Sequence, residues 1–285
     1  MKLIVHVGPH KTATSALQAF LNRNHAALRE KGVWYRGWQG TTNHTPLATM
    51  FLHRNPAAGG LMRGYVEDAA ASSCEVCVVS TEVLAKGDFD PKPLLAAIDG
   101  YRATFVAYLR APDERMISAF DQVVRNKSRT GPIGELENFD PTYRQNLLKW
   151  AKAEGHEFVL APYDRAQWTG GNIFEDFLSM FGIGRDGLEL ELDESEENRS
   201  LRPALTEVLR VANAVGLSGE TRRAFIAGLY KLQASRPNWY RGDDLLTQSQ
   251  SAEIRHLLWN NLDQWRPYFR PGFDPAYLAP DAKRR

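Results

Sequence analysis

Leu3-Ile4-Val5-His6-Val7-Gly8-Pro9-His10-Lys11-Thr12-Ala13-Thr14-Ser15 is the stretch that decides the fold. Its first five residues form an apolar, partly β-branched run of strand length. Gly8-Pro9 ends that run. From Thr14 onward, Ala16, Leu17, Phe20 and Leu21 recur at helical spacing. The order strand, tight polar loop, helix aims backbone N–H groups and the positive end of a helix at one point, which makes an anion site. Lys11 adds a full positive charge there, and Thr12, Thr14 and Ser15 add hydroxyl donors. The expected guest carries a phosphate.

The same alternation continues down the chain. Short apolar runs lie at residues 76–80, 104–109 and 157–161, besides 3–7. Helical patterns fill residues 14–31, 91–98, 115–124 and 142–154. Strands that read as apolar on both faces, alternating with helices, predict an α/β fold around a parallel sheet. In such sheets ligands bind beyond the carboxyl ends of the strands. After residue 183 an acidic stretch leads into helical patterns at 204–215, 220–232 and 251–265. The expected organisation is one domain, with an α/β nucleotide-binding core over 1–185 and a helical C-terminal extension over 186–285.

Composition narrows the function classes. With 43% hydrophobic and 24% charged residues the chain is an ordinary globular one. A net charge of +1 supplies no general field for nucleic acid or a membrane surface, so an anion site has to be local. No run of about 18 apolar residues predicts a membrane span. The N-terminal residues enter a strand with no apolar leader before them, so a cytoplasmic location is expected. Cys74 and Cys77 form a lone C-x-x-C leading into an apolar run, which reads as two structural cysteines in a strand. A zinc site would need two further ligands, and no metal is expected.

A second anion element follows the run at 104–109. Arg110-Ala111-Pro112-Asp113-Glu114-Arg115-Met116-Ile117-Ser118 puts an arginine where the strand stops, a proline in the turn and a serine in the next helix. The arginine fork suits phosphate. The first loop does not fit G-x-x-x-x-G-K-[ST]: counted from Gly8, the second glycine position holds Ala13 and the lysine position holds Thr14. Lys11-Thr12-Ala13-Thr14-Ser15 instead resembles the 5′-phosphosulfate loop of sulfotransferases that use 3′-phosphoadenosine 5′-phosphosulfate (PAPS), where a lysine precedes x-G-T-[ST]. Ala13 stands in place of the usual glycine, so the loop is expected to turn without a left-handed residue there. The second element resembles the 3′-phosphate motif of the same enzymes, R-x-P-x-x-R-x-x-S, through Arg110, Pro112, Arg115 and Ser118.

The resemblance covers residues 1–183 and implies a P-loop-like three-layer sandwich with five parallel strands. It implies transfer of a sulfuryl group from PAPS to an acceptor hydroxyl, on a carbohydrate or a small metabolite, with no metal required. His10, Lys11, Thr12, Ala13, Thr14 and Ser15 would hold the 5′ end of the nucleotide, and Arg110 and Ser118 the 3′-phosphate. Arg199, in Asn198-Arg199-Ser200, would return a positive charge to it. Two residues compete as general base. Glu82 ends the run at 76–80, where related carbohydrate sulfotransferases carry a glutamate, although Val83-Leu84 replaces their following K-S. His44 lies in a polar loop and titrates near neutrality. Pro162-Tyr163-Asp164 ends the run at 157–161 and is a further candidate for the cleft wall. The alternative reading is a P-loop kinase or nucleotide-binding protein using ATP.

Overall fold

The apolar runs are strands, and each extends one residue beyond its pattern: β1 (Lys2–Val7), β3 (Val76–Thr81), β4 (Ala103–Leu109) and β5 (Glu157–Pro162). A two-residue strand, β2 (Val33–Trp34), adds an edge that no periodicity announced. In this computed structural model, residues 1–127, 129–135, 139–190, 200–236 and 245–283 are described. The five strands form one all-parallel sheet in the order β2-β3-β1-β4-β5. The register aligns Val7 with Thr81 and His6 with Val106.

Helices alternate with these strands. They are α1 (Thr14–Arg23), α2 (His25–Glu30), α3 (Thr45–Leu52), α4 (Ala58–Ala71), α5 (Lys92–Ala97), α6 (Pro112–Lys127), α7 (Arg144–Ala151) and α8 (Ile173–Ser179). After them come α9 (Pro203–Ala214), α10 (Gly219–Ser235) and α11 (Gln248–Trp259). The single helix expected over 14–31 is broken at Asn24. That buried side chain donates to Phe20 O and Glu189 O and accepts from the Glu189 N–H, a remote partner that overrides the local pattern. Among the described residues, no helix is long and apolar enough to cross a membrane.

Backbone contacts divide the chain into two compact units. The first comprises Met1–Arg110, Thr142–Leu192 and Asn261–Tyr277; the second comprises Ala111–Pro141, Asp193–Asn260 and Leu278–Arg285. The division therefore differs from the one expected near residue 185, because α6 groups with the C-terminal helices and residues 261–277 with the sheet.

In the first unit, alternate strand residues feed two cores. Ile4, Val78, Val106 and Tyr108 face α1 and α8, where Leu17, Leu21, Phe174 and Phe177 pack and Phe20 stacks on Phe174 with ring centroids 4.5 Å apart. On the other side Phe105 meets Trp150 of α7 at 4.5 Å, and the Trp150 indole donates to Leu84 O. The result is a three-layer α/β sandwich. Cys74 and Cys77 are free and buried, and burial raises the Cys77 thiol pKa well above its ordinary value.

A buried ionic node ties the far side of this sheet to residues 261–277. Asp176, fully buried on α8, accepts from Tyr108 Oη (2.8 Å), Thr169 N (2.9 Å) and Arg270 Nη1 (2.7 Å). In the second unit, Phe120, Val124, Leu205, Leu209 and Leu229 form the core. There a fully buried Arg255 on α11 pairs with Asp113 of α6 at 2.7 Å.

Removing one partner of a buried pair strands the other charge without water or counter-ion. Arg270→Met is expected to lower unfolding free energy by about 3–5 kcal/mol, and the second change Asp176→Asn should recover part of that loss. Urea denaturation of the three proteins measures both effects.

Candidate functional site

Strand order sets β3, β1 and β4 side by side. With about 4.8 Å between neighbouring strands, their three C-terminal ends lie within roughly 10 Å. Each end carries one of the groups singled out in the sequence. Glu82 follows β3, the Gly8–Ala13 loop follows β1, and Arg110 follows β4.

The loop is shaped by two left-handed residues and one brace. Lys11 has φ 73° and Ala13 has φ 57°, ψ 23°. The expectation that Ala13 avoids the left-handed region is thus corrected: the backbone turns there despite the Cβ. Such a residue costs of order 1–2 kcal/mol, and the surrounding contacts hold it. Thr12 is also corrected. Its side chain is buried and its hydroxyl donates to Pro9 O at 2.7 Å, so it braces the loop and presents no outward hydroxyl. Gly8 is required by a close approach, because a Cβ there would lie 2.2 Å from Thr14 Oγ1.

The remaining loop groups differ in exposure. His10 and Ser15 are exposed and Lys11 is half-buried. Thr14 is buried, and its Oγ1 has no hydrogen-bond partner among the described residues. Glu82 is half-buried, with Oε2 enclosed and likewise without a partner among them. Two such polar atoms at adjacent strand ends are the kind of unsatisfied pair that a bound polar ligand would complete.

Arg110 reaches the loop directly. Its Nη1 donates to the Lys11 carbonyl at 2.9 Å, joining two segments 99 positions apart. Its own backbone N–H and C=O both meet the hydroxyl of Tyr143, at 3.2 and 2.8 Å. Tyr143, which caps α7 with φ 59°, carried no signal in the sequence. A tyrosine within a helical pattern gives no hint that its hydroxyl will clamp a strand end. Tyr163, placed in the cleft wall from the sequence, lies with its ring centroid 5.0 Å from the Arg110 guanidinium carbon.

His44 is not at the open edge. It is 1% exposed, enclosed edge-on by Tyr35 and Tyr65. Its Nδ1 accepts from the Ser80 N–H, so the ring proton belongs on Nε2. Burial lowers its pKa to about 4, against weaker opposing contributions from the Ser80 and Arg36 backbone. Ser80 Oγ in turn pairs with His6 Nδ1 at 2.8 Å and accepts from Gln18. Burial brings His6 to about 3. His44 is therefore a neutral pin on β3, and Thr45 beside it reaches Thr81 Oγ1 at 3.1 Å.

Two further residues of the second sequence element belong to the second unit. Arg115 is buried in the second unit, its guanidinium 4.3 Å from the Phe139 ring centroid and bonded to Asp140 O. Ser118 is half-buried on α6 of that unit. Arg199 lies outside the described residues. Among the described residues no three His, Cys, Asp or Glu side chains group to hold a metal ion. An open pocket of about 630 Å³ is lined by Asn22, His25, Arg36, Trp38, Gln39 and Thr41, and by no residue of the anion loop. Asn22 stands eight positions beyond Thr14 on α1, roughly 12 Å along the helix.

Two stability outcomes follow. Gly8→Ala is expected to lose about 1–3 kcal/mol through overpacking, with Thr14→Ala relieving part of it, as read by thermal melting. His6 and His44 stay neutral in the fold but take up protons when unfolded, so stability falls as pH drops from about 6.5 towards 4. At pH 5 each histidine costs roughly 2 kcal/mol relative to pH 7. Denaturant melts across that window check the sign, and equal stability at pH 7 and pH 5 contradicts it.

No family model, no curated protein and no solved structure matches this chain, so its own residues carry the functional argument.

Proposed function

We propose that this protein is a P-loop-like sulfotransferase that moves a sulfuryl group from PAPS to an acceptor hydroxyl. The observation that carries the reading is the 2.9 Å bond from Arg110 to the Lys11 carbonyl. Two sequence elements, each suited to a phosphate, meet at adjacent strand ends, and an arginine beside the 5′-phosphate loop is what a nucleotide with a second phosphate requires. ATP carries no 3′-phosphate for such a group to bind.

PAPS supplies the transferable sulfuryl group. Lys11 and the N-terminal N–H groups of α1 bind the 5′ end, and Thr14 Oγ1 offers a buried hydroxyl to it. Arg110 binds the 3′-phosphate through its donor fork. Glu82 accepts the acceptor proton as the new sulfur–oxygen bond forms and the bond to the nucleotide phosphate breaks. Lys11 neutralises the charge left on the nucleotide, which leaves as adenosine 3′,5′-bisphosphate. His44, closed off and weakly basic, keeps β3 and the segment before α3 in register, so Glu82 is the base in this reading. The acceptor is a carbohydrate or a small hydroxylated metabolite.

Calorimetric titration with adenosine 3′,5′-bisphosphate, ADP and Mg-ATP tests the reading. The bisphosphate should bind at least about 10-fold more tightly than ADP, the worth of one charge-assisted phosphate contact. Arg110→Ala should remove most of that preference. Preference for Mg-ATP would assign the chain to the kinases instead. With an accepted acceptor, Lys11→Ala and Glu82→Gln should each lower kcat by about 10²-fold or more, and unchanged turnover in either variant removes that residue from the mechanism.

A further inference from the structure

Arg110 is held in place by contacts with three other residues of the chain. Its guanidinium carbon lies 5.0 Å from the Tyr163 ring centroid, its Nη1 donates to Lys11 O, and its backbone is clamped by the Tyr143 hydroxyl. Tyr163 is itself fixed by the sheet. Its backbone N–H donates at 2.9 Å to the carbonyl of Leu109, the residue before Arg110, and its ring lies edge-to-face with that of Trp168, centroids 5.3 Å apart. Trp168 is held in turn by its indole N–H on Pro162 O at 2.9 Å. The carbonyl that Arg110 takes belongs to Lys11, a residue in the left-handed region. A charge-assisted bond to that carbonyl stabilises the turn where the backbone is least favourable.

We infer that Tyr163 is a positioning residue for Arg110, and that Arg110 in turn holds the Lys11 turn of the anion loop. An arginine carries its N–H donors in one plane, so the bond to Lys11 O, with the Tyr163 ring beside the guanidinium, fixes the plane of the fork. The ring face of Tyr163 attracts the cation and resists its rotation. Ligand affinity at the arginine and order in the Lys11 loop are then reciprocally linked. The identity of the anion rests on the PAPS reading above; the link between Tyr163, Arg110 and the loop concerns the protein without ligand.

The test uses the full chain with Tyr163→Leu, Tyr163→Phe and Arg110→Lys, each with its urea stability measured. Hydrogen exchange at the amides of residues 11–15 is read without ligand. Tyr163→Leu and Arg110→Lys should speed loop exchange about 5-fold or more beyond any global change, with Tyr163→Phe near wild type because its ring is kept. In the ligand arm, Tyr163→Leu should lower the bisphosphate-to-ADP affinity ratio about 10-fold, and Tyr163→Phe should restore it. Unchanged loop exchange in Tyr163→Leu overturns the positioning role, and should that variant fail to fold, unchanged exchange in Arg110→Lys overturns the link. Faster loop exchange in a protein that binds no bisphosphate even as wild type supports the link and sinks the PAPS reading, so the two failures are distinct.

Discussion

Strand β1 is hydrogen-bonded along both edges, by β3 on one side and β4 on the other, and the site depends on where that strand stops. Its register sets Val7 against Thr81 and His6 against Val106. From these pairings the chain leaves the sheet at Gly8 and Glu82 on one level, while β4 runs on to Leu109 before Arg110. A slip of one residue would turn every side chain of β1 to the opposite face. Ile4 would leave the core shared with α1 and α8, and His6 would lose Ser80. The anion loop, the carboxylate and the arginine share one register.

Beneath that edge lies a set of polar groups whose burial is itself informative. Ser80 takes part in four bonds: side chain to His6 and Gln18, backbone N–H to His44 Nδ1, backbone carbonyl to the His44 N–H. Buried networks of this kind give one arrangement a clear advantage over its neighbours, since any slip leaves donors or acceptors bare. Each neutral imidazole enters the network through Nδ1 and leaves Nε2 without a hydrogen-bond partner among the described residues, a smaller cost than burying a charge. The same environment that makes them good pins makes them poor bases.

The strands of the fold were legible because each is apolar on both faces and bounded by turn residues. The edge strand β2 was not, since two residues carry no periodicity. The break at Asn24 depends on Glu189, 165 positions away, which no local pattern encodes. Strand-end placement of Lys11, Glu82 and Arg110 followed from the alternation of strands and helices. The left-handed turns at Lys11, Ala13 and Tyr143 did not, because residues with a Cβ give no advance sign of positive φ. His44 read as a loop histidine open to water. Only the three-dimensional packing of Tyr35 and Tyr65 shows why it is closed off.

The central place of β1 has a consequence during synthesis. This strand is made first among the five, yet both of its partners lie far downstream, β3 from Val76 and β4 from Ala103. At about 5–20 residues per second, an apolar segment waits roughly 4–14 s for its first neighbour. Until then its backbone donors and acceptors are unpaired and its side chains open to any sticky surface nearby. A nascent chain of this topology has a built-in interval of vulnerability.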